Sequence, residues 1–169
     1  MLPKKLYNFT VFFEGHPMAG LVEEITLPVL ERTLEKWRGA GMLGPVSQDL
    51  GLEALQLDFT LGEHNREVLK FWGVQGASGV GLRFLGAAMG DDATATDAIE
   101  ISVRGRLGKT DMGSVKAGEK TAVKTEMPLT YYRYSVNGTV LIEIDLIAGI
   151  EIVNGVNRSA DVLKALGMA

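Results

Sequence analysis

Cysteine is absent from the 169-residue chain. That excludes a disulfide framework, a thiolate metal site and a cysteine nucleophile. Histidine occurs only at His16 and His64, so an imidazole metal centre or a catalytic triad would have to be built around one of two residues. Basic residues are in deficit. The 17 Lys and Arg against 21 Asp and Glu leave a formal net charge of -4, whereas a general nucleic-acid binder carries a basic excess. No run reaches the about 20 apolar residues of a spanning helix. The basic start, Met1 to Lys5, is followed by a stretch interrupted by Asn8, Thr10 and Glu14 with no small-residue cleavage site, so no targeting segment is expected.

What remains is a globular composition: 46% apolar and 22% charged residues, with 21 glycines that signal many turns. The length fits one domain over 1–169. The dominant period is two. Tyr7, Phe9, Val11 and Phe13 share one parity and predict a strand. Met18 to Leu27 reads as a return strand ended by Pro28. Leu55 to Leu61 alternates cleanly, as do Leu82 to Met89 and Ile99 to Leu107. Val29 to Arg38 fits a helical stripe and an alternating strand equally. Glu63 to Trp72 predicts an internal helix that buries Val68, Leu69, Phe71 and Trp72 and is closed by Gly73. Gly39 to Gly51 reads as a long loop or hairpin excursion, Asp91 to Asp97 as a turn, and Lys109 to Lys120 as a polar loop.

Thr121 to Val136 predicts a long strand. Met127, Leu129 and Tyr131 lie on one parity and Tyr132, Tyr134 and Val136 on the other, so a one-residue bulge near Tyr131 is expected. Asn137-Gly138 predicts a type I′ hairpin into a strand whose Val140, Ile142, Ile144 and Leu146 share a face. Asn154-Gly155 is a second turn signal. Ser159 can cap a terminal helix with Val162, Leu163 and Leu166 inward and Gly167 at its end. The sum is a mainly β (α+β) fold, an antiparallel barrel or sandwich with one internal and one C-terminal helix.

Catalytic signals are weak. Glu23-Glu24 and Asp91-Asp92 are adjacent carboxylates, which point to opposite faces of a strand and read as solvated charge. His64, near Glu63 and Glu67, lacks metal-ligand spacing, and His16 sits in a turn beside Pro17. Gly76 to Gly81 lacks the Gly-Lys-Ser/Thr end of a phosphate loop and reads as a flexible connector. Tyr131, Tyr132 and Tyr134 could stack bases, but at strand spacing they read as core or subunit interface. No catalytic residue, metal site or cofactor is expected. What is unusual is surplus apolar surface. Met42, Leu43, Val46 and Leu50 lie in an excursion with no core of its own, and such surface suits self-association.

The order and spacing of several stretches carry a resemblance. They are Thr26-Leu27-Pro28-Val29-Leu30, Trp37-Arg38-Gly39-Ala40-Gly41-Met42 and Asp49-Leu50-Gly51-Leu52-Glu53-Ala54. Then come Arg104-Gly105-Arg106-Leu107, Lys116-Ala117-Gly118-Glu119, Tyr131-Tyr132-Arg133, Glu143-Ile144-Asp145 and Ile152-Val153-Asn154-Gly155-Val156-Asn157-Arg158. With them the chain resembles the major tail tube protein of contractile-tailed bacteriophages, the family that includes the R-type pyocin tube. Trp37 stands where relatives are expected to have Tyr, which keeps a large aromatic.

The resemblance implies a β-barrel-like subunit, similar in fold to the hemolysin-coregulated protein of type VI secretion. It implies stacked sixfold rings forming a hollow tube, with sheath, baseplate and tail-terminator proteins as partners and no enzymatic activity. The tube would conduct DNA without stable nucleic-acid binding, or perforate a membrane. The particle would be a virion tail or bacteriocin assembled in the host bacterial cytoplasm. With that role in view, Val29 to Arg38 is taken as strand. Trp37, Arg38, Gly39, Ala40, Gly41, Met42 and Leu43 are the expected contact with a neighbouring ring. Glu143 and Asp145 are expected to pair with Arg104 or Arg106 of another subunit. Gln56, Asp58 and Thr60, or Glu100 and Ser102, are expected to line the lumen. The alternatives are a small-ligand-binding β-barrel and a hydrolase built on His64.

Overall fold

In the computed structural model, which describes residues 1–92 and 95–169, the chain runs through thirteen strands and two short helices. These are β1 (Lys5–Phe13), β2 (His16–Pro17), β3 (Val22–Thr26), β4 (Arg32–Trp37), β5 (Val46–Leu52), β6 (Leu55–Leu61), α1 (Arg66–Leu69) and β7 (Val80–Met89). There follow β8 (Asp97–Gly105), β9 (Lys109–Asp111), β10 (Val123–Val136), β11 (Thr139–Asp145), β12 (Ile150–Val153), β13 (Val156–Asn157) and α2 (Ala160–Ala165). Part of the predicted Asp91 to Asp97 turn lies outside the described residues.

Every pairing is antiparallel, and β10 is the spine. Its first half, from Val123 to Leu129, pairs β6 on one side and β9 on the other. Its second half, from Leu129 to Val136, pairs β8 and β11. The strand thus belongs to two layers. One is ordered β12-β11-β10-β8-β7-β1, the other β3-β6-β10-β9. They face each other across a packed core, where the rings of Phe13 and Phe59, from strands that do not pair, lie 6.1 Å apart. Leu57, Val80 and Met127 are completely buried there.

The phase slip in β10 is real. Leu129 faces Gly105 and Tyr131 faces Arg104, so Thr130 is the extra residue. It keeps Leu129 and Tyr132 both in the core. Asn137 and Gly138 both take positive φ, 51° and 82°, as a type I′ turn requires.

Bulges also correct two parity readings. Leu6 pairs Ala88 and Asn8 pairs Ala87, so Tyr7 leaves the Phe9-Val11-Phe13 face and is 78% exposed. Tyr134 pairs Ile142 and Ser135 pairs Val140; the bulge at Leu141 moves Val140 off the face that buries Ile144. Met18 to Leu27 is not one strand. Leu21 N–H donates to Met18 O at 3.0 Å, and that turn separates β2 from β3.

The internal helix is shorter than predicted. The Asn65 side chain accepts from the N–H groups of Glu67 and Val68 at 2.9 and 3.2 Å, so capping starts the helix at Arg66 rather than Glu63. Only Val68 is fully buried, and Trp72 stays 55% exposed. At the C-terminus Ser159 makes no side-chain cap; its hydroxyl donates to Gly149 O at 2.6 Å instead. Leu163 is buried, while Val162 and Leu166 face solvent. The predicted polar loop contains β9, three residues paired to β10. Pro128 sits in β10 with its ring exposed, where its carbonyl accepts from Arg106 N–H at 3.3 Å.

Candidate functional site

The Gly39 to Gly51 excursion is an arm. β4 and β5 form a separate two-stranded sheet, with Trp37 opposite Val46 and Glu35 opposite Gln48. Six residues of β4 project the tip about 20 Å at the usual strand rise. Alternation puts Trp37, Val46 and Leu50 on one face, and all three are at least half exposed; Leu43 at the tip is fully so. The tip is ordered by short-range bonds. Met42 N–H donates to Gly39 O at 3.2 Å, and Arg38 Nε donates to Met42 O at 3.3 Å. Gly39 has no Cβ where one would lie 3.4 Å from Trp37 Nε1 and 3.6 Å from Met42 Sδ, so the indole and the thioether close around the backbone. All seven predicted ring-contact residues therefore lie together on a solvated apolar tip, a feature a lone monomer seldom keeps.

The outer face of the larger layer holds the charged candidates. Register aligns Arg83, Ser102, Arg133 and Glu143 in one row across four strands. Arg83 Nε meets Glu100 Oε1 at 2.9 Å, and an Arg133 guanidinium nitrogen lies 3.8 Å from the same oxygen. Burial, and the Glu143 carboxylate beside it, push the Tyr131 hydroxyl pKa up. Arg104 donates to Ser78 O at 3.2 Å. Asp145 accepts from the N–H groups of Ile147 and Ala148 at 3.1 and 3.0 Å, closing the turn to β12. Glu100, Ser102, Arg104, Glu143 and Asp145 thus share one face. Arg106 does not; it leaves the sheet at the corner where β8 runs into β9.

Gln56, Asp58 and Thr60 lie on the outer face of the smaller layer, on the other side of the core. Gln56 Nε2 donates to Asp58 Oδ1 at 2.8 Å. Glu24, Lys124, Glu126 and Lys109 share that face by register. The two sets of predicted lumen residues therefore point in opposite directions, and one channel cannot be lined by both.

The smaller layer ends in two uncovered strands. Among the described residues β3 pairs only β6, and β9 pairs only β10. Arg106 and Gly108 donate their N–H groups to Pro128 O and Glu126 O. The register then shifts by one, so that Lys109 and Asp111 stand opposite Glu126 and Lys124 and turn their backbone groups to β10, while those of Leu107 and Thr110 point away from it. The larger layer instead ends in capped strands, β1 by β2 and β12 by β13. Sequence reasoning missed this edge because β9 is short and polar. The one signal was its place between a strand and a long loop.

Neither histidine builds a site. His64 is exposed, and His16 Nε2 lies 3.5 Å from Glu67 at the surface. Among the described residues no three acidic or imidazole side chains converge on a metal position. One surface cleft is lined by Leu2, Leu6, Tyr7 and Met89 and another by Glu14, Arg83 and Arg133, and the core is built of buried apolar side chains.

A family model described as phage tail tube protein FII matches residues 3–167. The chain is 39% identical to the tail tube protein of Escherichia phage P2 over 170 residues, covering 99% of both chains. It is 34% identical to the major tail tube protein of Serratia phage KSP20 over 171 residues, 99% of this chain and 98% of that one. Two solved structures share the fold at 9% identity. The sheath/tube terminator of an extracellular contractile injection system, in its extended state, superposes with a TM-score of 0.59 over 78% of this chain and 95% of its own. The sheath-tube complex of such a system gives 0.58 over 78% and 90%.

Proposed function

From its membership of the phage tail tube protein FII family, and hence its role as a structural subunit of a contractile-tail tube, we propose that the chain closes into sixfold rings whose stacking makes a hollow conduit. The bare edges of β3 and β9 carry the closure. Strand directions alternate through β3-β6-β10-β9, so β9 of one copy laid against β3 of the next continues the antiparallel pattern and satisfies exposed backbone groups. Such a head-to-tail contact is heterologous and closes when the rotation per copy divides a full turn. Lys109 and Glu24 lie on the same outer face and would meet across the seam, next to Arg106.

In that ring the smaller layer forms the inner wall, and Gln56, Asp58 and Thr60 line the channel. Glu24, Asp58 and Glu126 there outnumber Lys109 and Lys124. An acidic wall suits DNA transit, because phosphates gripped by many Lys and Arg would bind tightly and stall. Arg104, Glu143 and Asp145, with Glu100 and Ser102, then face outward towards the sheath. The arm from Trp37 to Leu43 reaches a neighbouring ring, which covers its apolar tip. Baseplate and terminator proteins cap the two ends, and assembly takes place in the host cytoplasm. This role needs no catalytic group.

Electron microscopy and sedimentation of the purified protein test the proposal. Hollow tubes or rings are expected, and deletion of residues 40–44 should leave a folded subunit that does not stack. A monomer at all concentrations, with sheath and baseplate partners supplied, would overturn ring closure. Normal tubes from the deletion would overturn the role of the arm.

A further inference from the structure

We propose that Arg32 is a positioning residue that sets the angle at which the arm leaves the body; this rests on reading the arm as the ring-to-ring contact. Arg32 stands at the arm's base, and its guanidinium reaches two carboxylates on different elements. Nε lies 3.3 Å from Asp49 Oδ2 of β5, and an outer nitrogen donates to Glu151 Oε1 of β12 at 2.5 Å. Among the described residues, this bond to Glu151 is the one polar side-chain contact that passes from the two arm strands to the larger layer.

Both carboxylates are themselves fixed. Asp49 accepts the Gly51 N–H on its other oxygen at 2.8 Å. Gly51 takes a φ of 120° and lies within the bulge that sets Arg32 opposite Leu52 but Leu34 opposite Asp49. The backbone of Glu151 is held by the Ser159 hydroxyl at 3.2 Å and by Arg158 N–H at 2.7 Å. Its cross-strand partner is the buried Ile144. A planar fork can bridge two such acceptors, and an ammonium cannot match both directions. The geometry makes the angle matter: with a lever about 20 Å long, a 10° swing at the base displaces the tip by about 3 Å, enough to unseat an apolar contact.

The test uses the full chain with Arg32→Ala, Glu151→Ala, the double variant, Arg32→Lys and, as a reference for the contact itself, Trp37→Ala. Three quantities are read: melting temperature of the unassembled subunit, amide hydrogen exchange across β4 and β5, and the critical concentration for tube growth. Because the pair is partly solvated, Arg32→Ala should leave the melting temperature within about 2 °C. It should speed arm exchange and raise the critical concentration, each about tenfold. Glu151→Ala should do the same, the double variant no more than either single one, and Arg32→Lys less. Should Arg32→Ala not fold, Glu151→Ala carries the same readouts. Normal assembly of Arg32→Ala alongside failure of Trp37→Ala overturns the positioning role and leaves the arm contact standing. Normal assembly of both overturns the arm contact, and the positioning role with it. Additive losses in the double variant overturn the link between Arg32 and Glu151.

Discussion

Gly105 is where the two layers share their spine, and Gly105→Ala should strain that corner. A Cβ built there would lie 2.1 Å from the Pro128 carbonyl oxygen, 3.0 Å from its carbon and 3.1 Å from Leu129 Cα. All three are backbone atoms, so no side chain can rotate away. Relief requires β8 and β10 to part by about 1 Å, judged against a carbon–oxygen approach of about 3.3 Å. Gly105 is held from the other side by its pairing with Val80, so the gap cannot be absorbed there. Overpacking of this kind costs about 1–3 kcal/mol. Parting the strands also stretches the Arg106 N–H to Pro128 O bond beyond its present 3.3 Å, at about 1 kcal/mol. The sum, about 2–4 kcal/mol, corresponds to a melting temperature lower by about 4–16 °C for a chain of this size. The assay is thermal and urea unfolding followed by circular dichroism, at concentrations low enough that assembly contributes nothing. Gly44→Ala is the control. A Cβ there meets nothing within 4 Å, and its effect should stay within about 0.5 kcal/mol. Gly105→Ala within the same margin of the parent would refute the close approach as what sets the corner.

Two further outcomes concern the core. The Thr125 hydroxyl is buried without a hydrogen-bond partner, so Thr125→Val, of nearly equal shape, should raise stability by about 1 kcal/mol in urea unfolding; a loss of that size would show that the hydroxyl is satisfied. Burial pushes the Tyr132 hydroxyl up to about 12. Above pH 10 the unfolded chain releases that proton first, so folding stability should fall as pH rises from about 10 to about 12. Tyr132→Phe should flatten the decline measured by urea midpoints across that range, and an unchanged slope would exclude Tyr132 as its source.

The sequence made most of the architecture legible where alternation was strict. β6, β7 and β8 lie close to where period two put them, and the bulge in β10 announced itself as a slip in parity. What failed was set by geometry that parity does not record. Tyr7 is the extra residue of one bulge and Val140 sits next to another, and neither bulge changes the local pattern. The helix from Glu63 was cut short by Asn65, whose side chain satisfied the first free N–H groups three residues later than expected. β9 was invisible because Lys109 and Asp111 gain their strand state from β10 rather than from their own propensity. The arm tip was read from its glycines and exposed apolar residues, and the structure gathers those residues at one end. Its clamp was not read, because Arg32 and Glu151 are 119 positions apart and only the fold brings them within a hydrogen bond.

Helical reconstruction of assembled tubes by electron cryomicroscopy decides which layer faces the channel. The account predicts Asp58 and Thr60 on the inner wall, with the β9 edge of each subunit against β3 of the next. Density that instead places Arg83, Glu100 and Arg133 around the lumen, or leaves β3 and β9 unpaired between copies, would contradict it.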